Sequence, residues 1–211
     1  MPASNCAQYR HVYHSLISPA ISRRETVSYV GQISTQIFTL SGSILDATQQ
    51  PGELRGARWE EVNFDESMWT IPAQRMKRGV HGKEYGDPHI VPLSKQALEI
   101  FKFLYAYTGN GEFCFPSPKS KERPISENSV RTALLALGYS SDRHTWHGFR
   151  ASARTMLDEQ LEVDILVIES QLAHAVKDAN GRAYNRTKYI KQRSAMMQSW
   201  ADYLDTLKSK E

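Results

Sequence analysis

Residues 51–59 read Pro-Gly-Glu-Leu-Arg-Gly-Ala-Arg-Trp, and regular structure is first predicted at this stretch. Proline fits the first turn of a helix, where its missing N–H costs no hydrogen bond. A short helix is therefore predicted here, and Val62 and Phe64 lead from it into a strand. Residues 69–71 and 89–93 are rich in β-forming side chains and flank a basic loop that contains glycine. Together these segments predict a small antiparallel sheet.

Helices are predicted to dominate the rest of the chain. Apolar residues recur at helical spacing in two segments, with Ser126 as the cap and Gly138 as the stop of the second: Ala97, Ile100, Phe101 and Leu104, then Val130, Ala133, Leu134 and Leu137. Further helices are predicted over residues 149–160, 164–172 and 187–208. The predicted fold class is mainly α with a small antiparallel β-sheet (α+β).

The bulk composition is that of a folded, soluble protein. The chain has 211 residues, of which 40% are hydrophobic and 23% are charged, enough for one domain with a sizeable core. Its apolar runs are far shorter than the roughly 18 residues that span a bilayer, and no secretory signal is recognisable, so a cytoplasmic location is predicted. Cys6 and Cys114 lack metal-binding spacing, and both are expected to be free thiols.

Positive charge is concentrated in two windows without acidic residues. The net charge of +3 is too small to establish a nucleic-acid partner by itself. The windows are residues 74–83 and 179–201, and their cations are Arg75, Lys77, Arg78 and Lys83, then Arg182, Arg186, Lys188, Lys191 and Arg193. Each window can be either a solvated face or a surface for an anionic partner.

Three short motifs carry residues suited to phosphate chemistry. His147 and Arg150 are spaced to share one face of a helix, so an imidazole and a guanidinium could meet one phosphate. His174 follows in Leu-Ala-His, and Tyr184 in Arg-Ala-Tyr-Asn-Arg. A phenol can attack a phosphodiester and form a phosphotyrosyl bond without a metal, provided that cations stabilise the phosphate oxygens. Each motif alone is also compatible with ordinary packing.

In order and spacing, these motifs resemble tyrosine recombinases, and most closely the integrases of prophages and satellite phages. The set is Pro-Gly-Glu-Leu-Arg-Gly-Ala-Arg-Trp, Arg-Met-Lys, His-Ile-Val-Pro-Leu-Ser, His-Gly-Phe-Arg, Leu-Ala-His and Ala-Tyr-Asn-Arg. The resemblance covers residues 47–211 as a catalytic domain and implies the tyrosine-recombinase catalytic fold. Residues 1–46 do not resemble the family and stay unassigned.

The resemblance implies site-specific recombination or integration of DNA by strand breaking and rejoining. Tyr184 looks like the nucleophile; His147, Arg150 and His174 resemble the residues that bind the scissile phosphate. Lys77 is similar to the general acid that protonates the leaving 5′-oxygen, and Glu53 to a supporting acidic residue. Double-stranded DNA is the implied partner, without a cofactor, metal or small-molecule substrate. The implied DNA contacts are Arg75, Arg78, Lys83, Arg182, Arg186 and Lys188. Oligomers are expected only on DNA.

One position departs from the family pattern. The residue before Pro-Gly-Glu-Leu is the first catalytic arginine in the family, and here it is Gln50. Glutamine carries no charge and no guanidinium fork. By analogy with arginines at phosphoryl-transfer sites, the loss is worth a factor of about 10³ to 10⁵ in rate. Arg55 lies roughly 140° further round the helix, so its side chain is expected to point elsewhere.

Several functions stay open from the sequence. An impaired recombinase is one, and a rearranged or decayed integrase that binds DNA without cleaving it is another. Type IB topoisomerases share a similar set of residues, and a histidine-dependent nuclease using His147 and His174 is a further alternative. No metal-binding spacing accompanies these histidines, so metal-assisted hydrolysis is poorly supported. The apolar stripe of the last helix, from Trp200 to Leu207, suits either its own core or a neighbouring protomer.

Overall fold

The structure, a computed structural model, describes residues 51–117, 119–136, 146–174 and 189–208. In these ranges the helices are α1 (Pro51–Arg55), α2 (Val80–Glu84), α3 (Lys95–Thr108), α4 (Glu127–Ala136), α5 (Trp146–Glu159), α6 (Ile165–Gln171) and α7 (Ile190–Lys208). The strands are β1 (Val62–Asn63), β2 (Met68–Ile71), β3 (His89–Pro92), β4 (Pro116–Ser117) and β5 (Ser120–Pro124). Short 3-10 helices span Trp59–Glu61 and Ala73–Arg75. The predicted fold class is confirmed.

The predicted antiparallel sheet has the order β1-β2-β3. Trp69 on the central strand pairs with Val62 on one side and with Val91 on the other. Trp69 and Val91 are fully buried, whereas the next residue of β2, Thr70, is exposed. The alternation is that of a sheet with one buried face.

The helices pack on that face through the apolar residues that the sequence indicated. In α3, Ala97, Phe101 and Leu104 are fully buried, and the Ser94 side chain caps the first turn by accepting a hydrogen bond from the Ala97 amide (3.2 Å). Asp164 caps α6 in the same way through the amide of Leu166 (2.7 Å). Helix α4 begins directly after Ser126 as predicted, while Leu137 and Gly138 lie outside the described residues.

The last helix folds back on the core of its own chain. Trp200, Leu204 and Leu207 are buried, together with Met196 and Met197 on the same helix. Of the two alternatives for this apolar stripe, packing within the chain is therefore the one observed. Helix α7 begins at Ile190, after Tyr189 with a φ of 66°, and the predicted start at Thr187 lies outside the described residues.

The first helix is shorter than predicted, because a guanidinium occupies the space beside Gly56. Helix α1 ends at Arg55, and Trp59 already belongs to the following 3-10 helix. A Cβ atom on Gly56 would lie 2.6 Å from Nη1 of Arg75, which donates a hydrogen bond to the Gly56 carbonyl. Glycine thus permits a close approach that ends the helix and anchors it.

Two elements were not predicted. Helix α2 lies in the segment that was expected to be loop, and none of its residues is buried. Strands β4 and β5 form a hairpin in which the second strand reads Ser-Lys-Glu-Arg-Pro. Neither element buries a regular apolar stripe, so hydrophobic periodicity could not reveal them.

Two sequence features can be checked only in part. Cys114 is a buried free thiol, and burial, followed by the charge of Glu61, raises its pKa well above the usual range. Cys6 and the unassigned residues 1–46 lie outside the described residues. Among the described helices, none is long and apolar enough to cross a membrane.

Arg75 is a structural cation rather than an exposed one. Its Nε lies 2.7 Å from Oε1 of Glu61 and its Nη2 donates to Oε2 at 2.8 Å, while the Glu61 side chain is only 3% exposed. Nη2 also reaches the Glu53 carbonyl at 3.3 Å. The pair therefore fastens α1 to the 3-10 helix that precedes the sheet, and these donors are occupied within the chain.

We predict that Arg75→Met lowers the free energy of unfolding by about 3 to 5 kcal/mol, because it leaves the Glu61 carboxylate buried without its cation. Denaturant unfolding at neutral pH measures the loss, and the Arg75→Met, Glu61→Met double variant should recover part of it. Lys83→Met, at an exposed position of the same connection, is the matched control and should stay within about 0.5 kcal/mol of the original. An Arg75→Met protein as stable as that control would show that the pair does not fasten α1.

Candidate active site

Arg150 lies at the centre of the candidate site. It follows buried Phe149 in the first turns of α5 and is itself 8% exposed. Its Nη2 donates to the carbonyl of Leu172 and lies 3.1 Å from Nε2 of His174. The structure thus brings together two of the residues to which the sequence assigned phosphate binding.

The guanidinium of Arg150 is largely buried away from water. Burial lowers the pKa of its guanidinium, and the carboxylates of Glu53 and Glu169 act in the opposite direction. Glu53 is 3% exposed on α1. Its negative charge favours the cationic form of Arg150, and its supporting role stays a prediction.

The turn after α6 gives His174 its position. The His174 amide donates to the Glu169 carbonyl (3.1 Å) and the Ala173 amide to the Ser170 carbonyl (3.3 Å), the pattern of a Schellman C-cap. Ala173 has a φ of 54°, in the left-handed region that glycine usually fills. That conformation costs an L-residue roughly 1 to 2 kcal/mol. The turn directs His174 back over the last turn of α6.

Glu169 fixes the orientation of the His174 ring. Its Oε2 accepts a hydrogen bond from Nδ1 of His174, and its Oε1 accepts one from Nε of Arg154 at 2.7 Å. A carboxylate can only accept and a guanidinium can only donate. His174 therefore carries its proton on Nδ1, and the lone pair of Nε2 faces Arg150.

The environment also keeps Glu169 ionised. Partial burial raises its pKa, but hydrogen bonds and Coulombic attraction from His174 and Arg154 together outweigh burial. The pKa of Glu169 is consequently lower than usual.

The remaining predicted site residues lie in the β2–β3 connection or outside the described residues. Lys77 and Lys83 are exposed, and within the described part of the chain the Lys77 amine makes no hydrogen bond or ion pair. Arg78 donates to the Asp87 carbonyl at 2.7 Å. Outside the description lie Gln50, Tyr184, Arg182, Arg186 and Lys188, as does the side chain of His147, whose backbone is in α5.

Arg55 points toward another part of the fold, as expected. Its Nη1 donates to the Ile125 carbonyl at 3.1 Å, and its Nη2 lies 3.6 Å from the Glu127 carboxylate. These contacts direct the guanidinium to the start of α4.

Sequence reasoning missed Glu169, Arg154 and the Leu172 carbonyl. A signal for Glu169 existed in part, because a residue five positions before a histidine is its neighbour when a Schellman turn ends the helix between them. Ala173 hid that turn, since the usual marker of its left-handed position is glycine. Among the residues that the structure describes, no group of three His, Cys, Asp or Glu side chains could hold a metal ion.

The architecture is that of a recombinase catalytic domain. A solved integrase from mycobacterium phage Brujita superposes with a TM-score of 0.58 at 17% identity, over 94% of this chain and 61% of that one. XerA recombinase superposes with a TM-score of 0.52 at 12% identity, over 98% of this chain and 60% of that one. Likeness at such low identity establishes the fold.

The sequence establishes the family. The model of the phage integrase family matches residues 39–190, and the chain belongs to that family of tyrosine recombinases. The integrase of Enterobacteria phage P4 is 38% identical over 190 residues, which cover 87% of this chain and 43% of that protein. Prophage integrase IntA of Escherichia coli K12 is 35% identical over 203 residues, 96% of this chain and 44% of that protein. The chain thus spans less than half the length of these relatives.

We predict that Glu169→Gln lowers the free energy of unfolding by about 1 kcal/mol near pH 7 and by much less near pH 3. The folded state lowers the pKa of this carboxyl group, so its contribution is present above the ordinary pKa and is lost as pH falls through the folded value. Urea unfolding at both pH values measures the difference. The exposed Glu159→Gln on α5 is the control, and an equal deficit of Glu169→Gln at both pH values would contradict the coupling.

Proposed function

We propose that this chain provides the catalytic domain of a tyrosine recombinase that breaks and rejoins duplex DNA through Tyr184. The observation that supports it most directly is the buried Arg150 with His174 at 3.1 Å, a pair suited to the two non-bridging oxygens of one phosphodiester.

In the proposed reaction, the phenol oxygen of Tyr184 attacks the phosphorus, and the bond from phosphorus to the 5′-oxygen breaks. The phenol proton passes to Nε2 of His174, and Lys77 gives a proton to the leaving 5′-oxygen, so a 3′-phosphotyrosyl bond and a free 5′-hydroxyl result. A 5′-hydroxyl then attacks the phosphotyrosine in the reverse sense and releases Tyr184. No metal or cofactor takes part in this proposal.

His174 can take part in two ways because its ring is oriented by Glu169. With the proton on Nδ1, Nε2 can accept a proton. Once Nε2 is protonated, it can donate to a phosphate oxygen, and Glu169 then stabilises the imidazolium. When Nε2 is protonated, both it and Nη2 of Arg150 are donors and can no longer bond each other. Nη2 of Arg150 must therefore turn from His174 to the phosphate.

DNA contacts are proposed for cations of the β2–β3 connection and of the sequence around Tyr184. Lys83 is exposed and Arg78 is partly exposed in the β2–β3 connection, next to Lys77. Arg182, Arg186 and Lys188 flank Tyr184 in sequence and are proposed to follow the backbone on either side of the nucleophile. Arg75 is left out of this set because its guanidinium forms an ion pair with the buried carboxylate of Glu61. Assembly into oligomers is proposed only on DNA.

A second candidate is a DNA-binding domain that does not cleave, and Gln50 is the observation that favours it. An amide at this position can donate a hydrogen bond but cannot neutralise phosphate charge. Impaired cleavage is therefore part of the proposal, with Gln50 as its cause.

We predict that Gln50→Arg raises covalent adduct formation by about 10³-fold or more, since it restores a guanidinium to the phosphate site. The probe is a library of nicked suicide duplexes of randomised sequence, and adducts are counted on denaturing gels. Adding Tyr184→Phe to Gln50→Arg should abolish the adduct. The matched control is the double variant Gln50→Arg, Tyr189→Phe, which should still form the adduct.

The alternatives give different results in the same assay. Salt-sensitive retention of the library by the Gln50→Arg protein without any adduct would support the DNA-binding domain and contradict the recombinase. Site-independent relaxation of supercoiled plasmid would instead support topoisomerase activity.

A further inference from the structure

The last residue of α6 is held from two directions. Gln171 is fully buried at the end of this helix. Its main-chain carbonyl lies 3.1 Å from Nε2 of His89, and because a carbonyl can only accept, the imidazole donates. His89 is itself fully buried on β3. The sheet thus fixes the backbone at the C-terminal end of α6.

Arg193 holds the side chain of the same residue. Its Nε donates to Oε1 of Gln171 at 2.8 Å, and its Nη2 donates to the carbonyl of Ile90 at 2.5 Å. Arg193 is fully buried on α7. One planar guanidinium therefore joins three elements, namely α7, the end of α6 and the strand β3 that also carries His89.

Gln171 directly precedes the Leu172–His174 turn, to which the proposed function assigns phosphate binding. Leu172, the next residue, offers the carbonyl that receives Nη2 of Arg150. Two residues further on, His174 is presented by the left-handed Ala173. A displacement of Gln171 would move the acceptor of Arg150 and the base of the His174 turn together.

Stability alone is a poor reason for a cation at this position. Burial lowers the pKa of Arg193 to about 10, which is the effect of removing a charged group from water. Apolar side chains of similar volume that replace a buried charge together with its partners often cause no loss of stability, whereas removing one partner alone leaves buried polar groups unsatisfied. The guanidinium differs from them in its geometry, since its fork bonds two acceptors on two different elements at once.

We propose that Arg193 is a positioning residue that acts through Gln171 to hold the Leu172–His174 turn, and with it Arg150, in the geometry that receives a phosphate. The proposal rests on the function proposed above for Arg150 and His174, and it adds a residue of α7 to the set that determines their positions. Its described hydrogen bonds are to Gln171 and Ile90, neither of which is a reacting group in the proposed function.

The test observes His174 in the free protein, so it does not depend on cleavage. Nitrogen chemical shifts of labelled histidine imidazoles report which ring nitrogen carries the proton, and a His174→Gln spectrum identifies the signals. We expect the original protein to show His174 with its proton on Nδ1. In Arg193→Met, the ratio of this tautomer to the other should fall severalfold. The thermal midpoint should also fall, because the buried oxygens of Gln171 and Ile90 lose their donor.

Matched variants separate positioning from general damage to the fold. Gln198→Met removes side-chain hydrogen bonds to Gln96 on α3 and to Asp202 one turn further along α7, and it should leave the His174 signals unchanged. Gln171→Met removes the acceptor but keeps Arg193, and it should reproduce the loss. It also serves as the test if Arg193→Met does not fold. Arg193→Lys keeps the charge without the fork and should fail to restore the original ratio.

The outcome can be separated from that of the proposed function. Unchanged His174 signals in a folded Arg193→Met or Gln171→Met protein would overturn the positioning role, whatever the DNA assays show. If the signals shift but the Gln50→Arg protein forms no adduct, the positioning role stands and the recombinase proposal fails. Where adduct forms, adding Arg193→Met to Gln50→Arg should slow its formation at saturating DNA tenfold or more without a matching loss of DNA affinity.

Discussion

The site depends on keeping the guanidinium of Arg150 charged and fixed in position although it is largely buried away from water. Burial disfavours the cationic form of Arg150, and the carboxylates of Glu53 and Glu169 oppose that effect. The carboxylates attract the positive charge but do not orient the guanidinium, whereas the Leu172 carbonyl accepts a hydrogen bond from Nη2 and so fixes its orientation. Binding a tetrahedral anion requires both properties, because donors that must reorganise at the moment of reaction lose much of their benefit.

Two further guanidiniums, of which that of Arg75 is partly buried and that of Arg193 fully buried, hold the parts of the chain that supply those partners. Arg75 binds the carbonyls at the end of α1, the helix that carries Glu53. Arg193 binds the side chain of Gln171 at the end of α6, which continues into Leu172 and His174. Both use several donors at once, which a lysine cannot do in the same plane. Partners that are distant in sequence thus meet at Arg150 because a separate cation fastens each of their elements.

The sequence was sufficient where burial imposes a period and insufficient where local geometry decides. The three-stranded sheet followed from β-forming side chains on either side of a loop that contains glycine. Helix α3 followed from apolar spacing, since a half-buried helix must show it. Pairing Arg150 with His174 required the family resemblance, because no local signal joins residues so far apart in sequence. Glu169 and the hydrogen bond from Arg193 to Gln171 were missed for a different reason. Their roles depend on a left-handed alanine at position 173 and on which acceptors α7 meets, and neither leaves a periodic trace.

The balance of charge around Arg150 explains why position 50 matters so much for the proposed chemistry. Glu53 and Glu169 both favour the cationic guanidinium, yet each also repels an approaching phosphate. Glu169 is offset by Arg154 and His174, with which it forms hydrogen bonds. A glutamine at position 50 adds no cation on the side of α1, where the carboxylate of Glu53 lies. In the proposed chemistry, a phosphate at Arg150 would then draw its other positive charge from Lys77, from a protonated His174 and from cations beside Tyr184. In the proposed chemistry, an arginine at position 50 would supply the missing positive charge next to α1, the helix that carries Glu53.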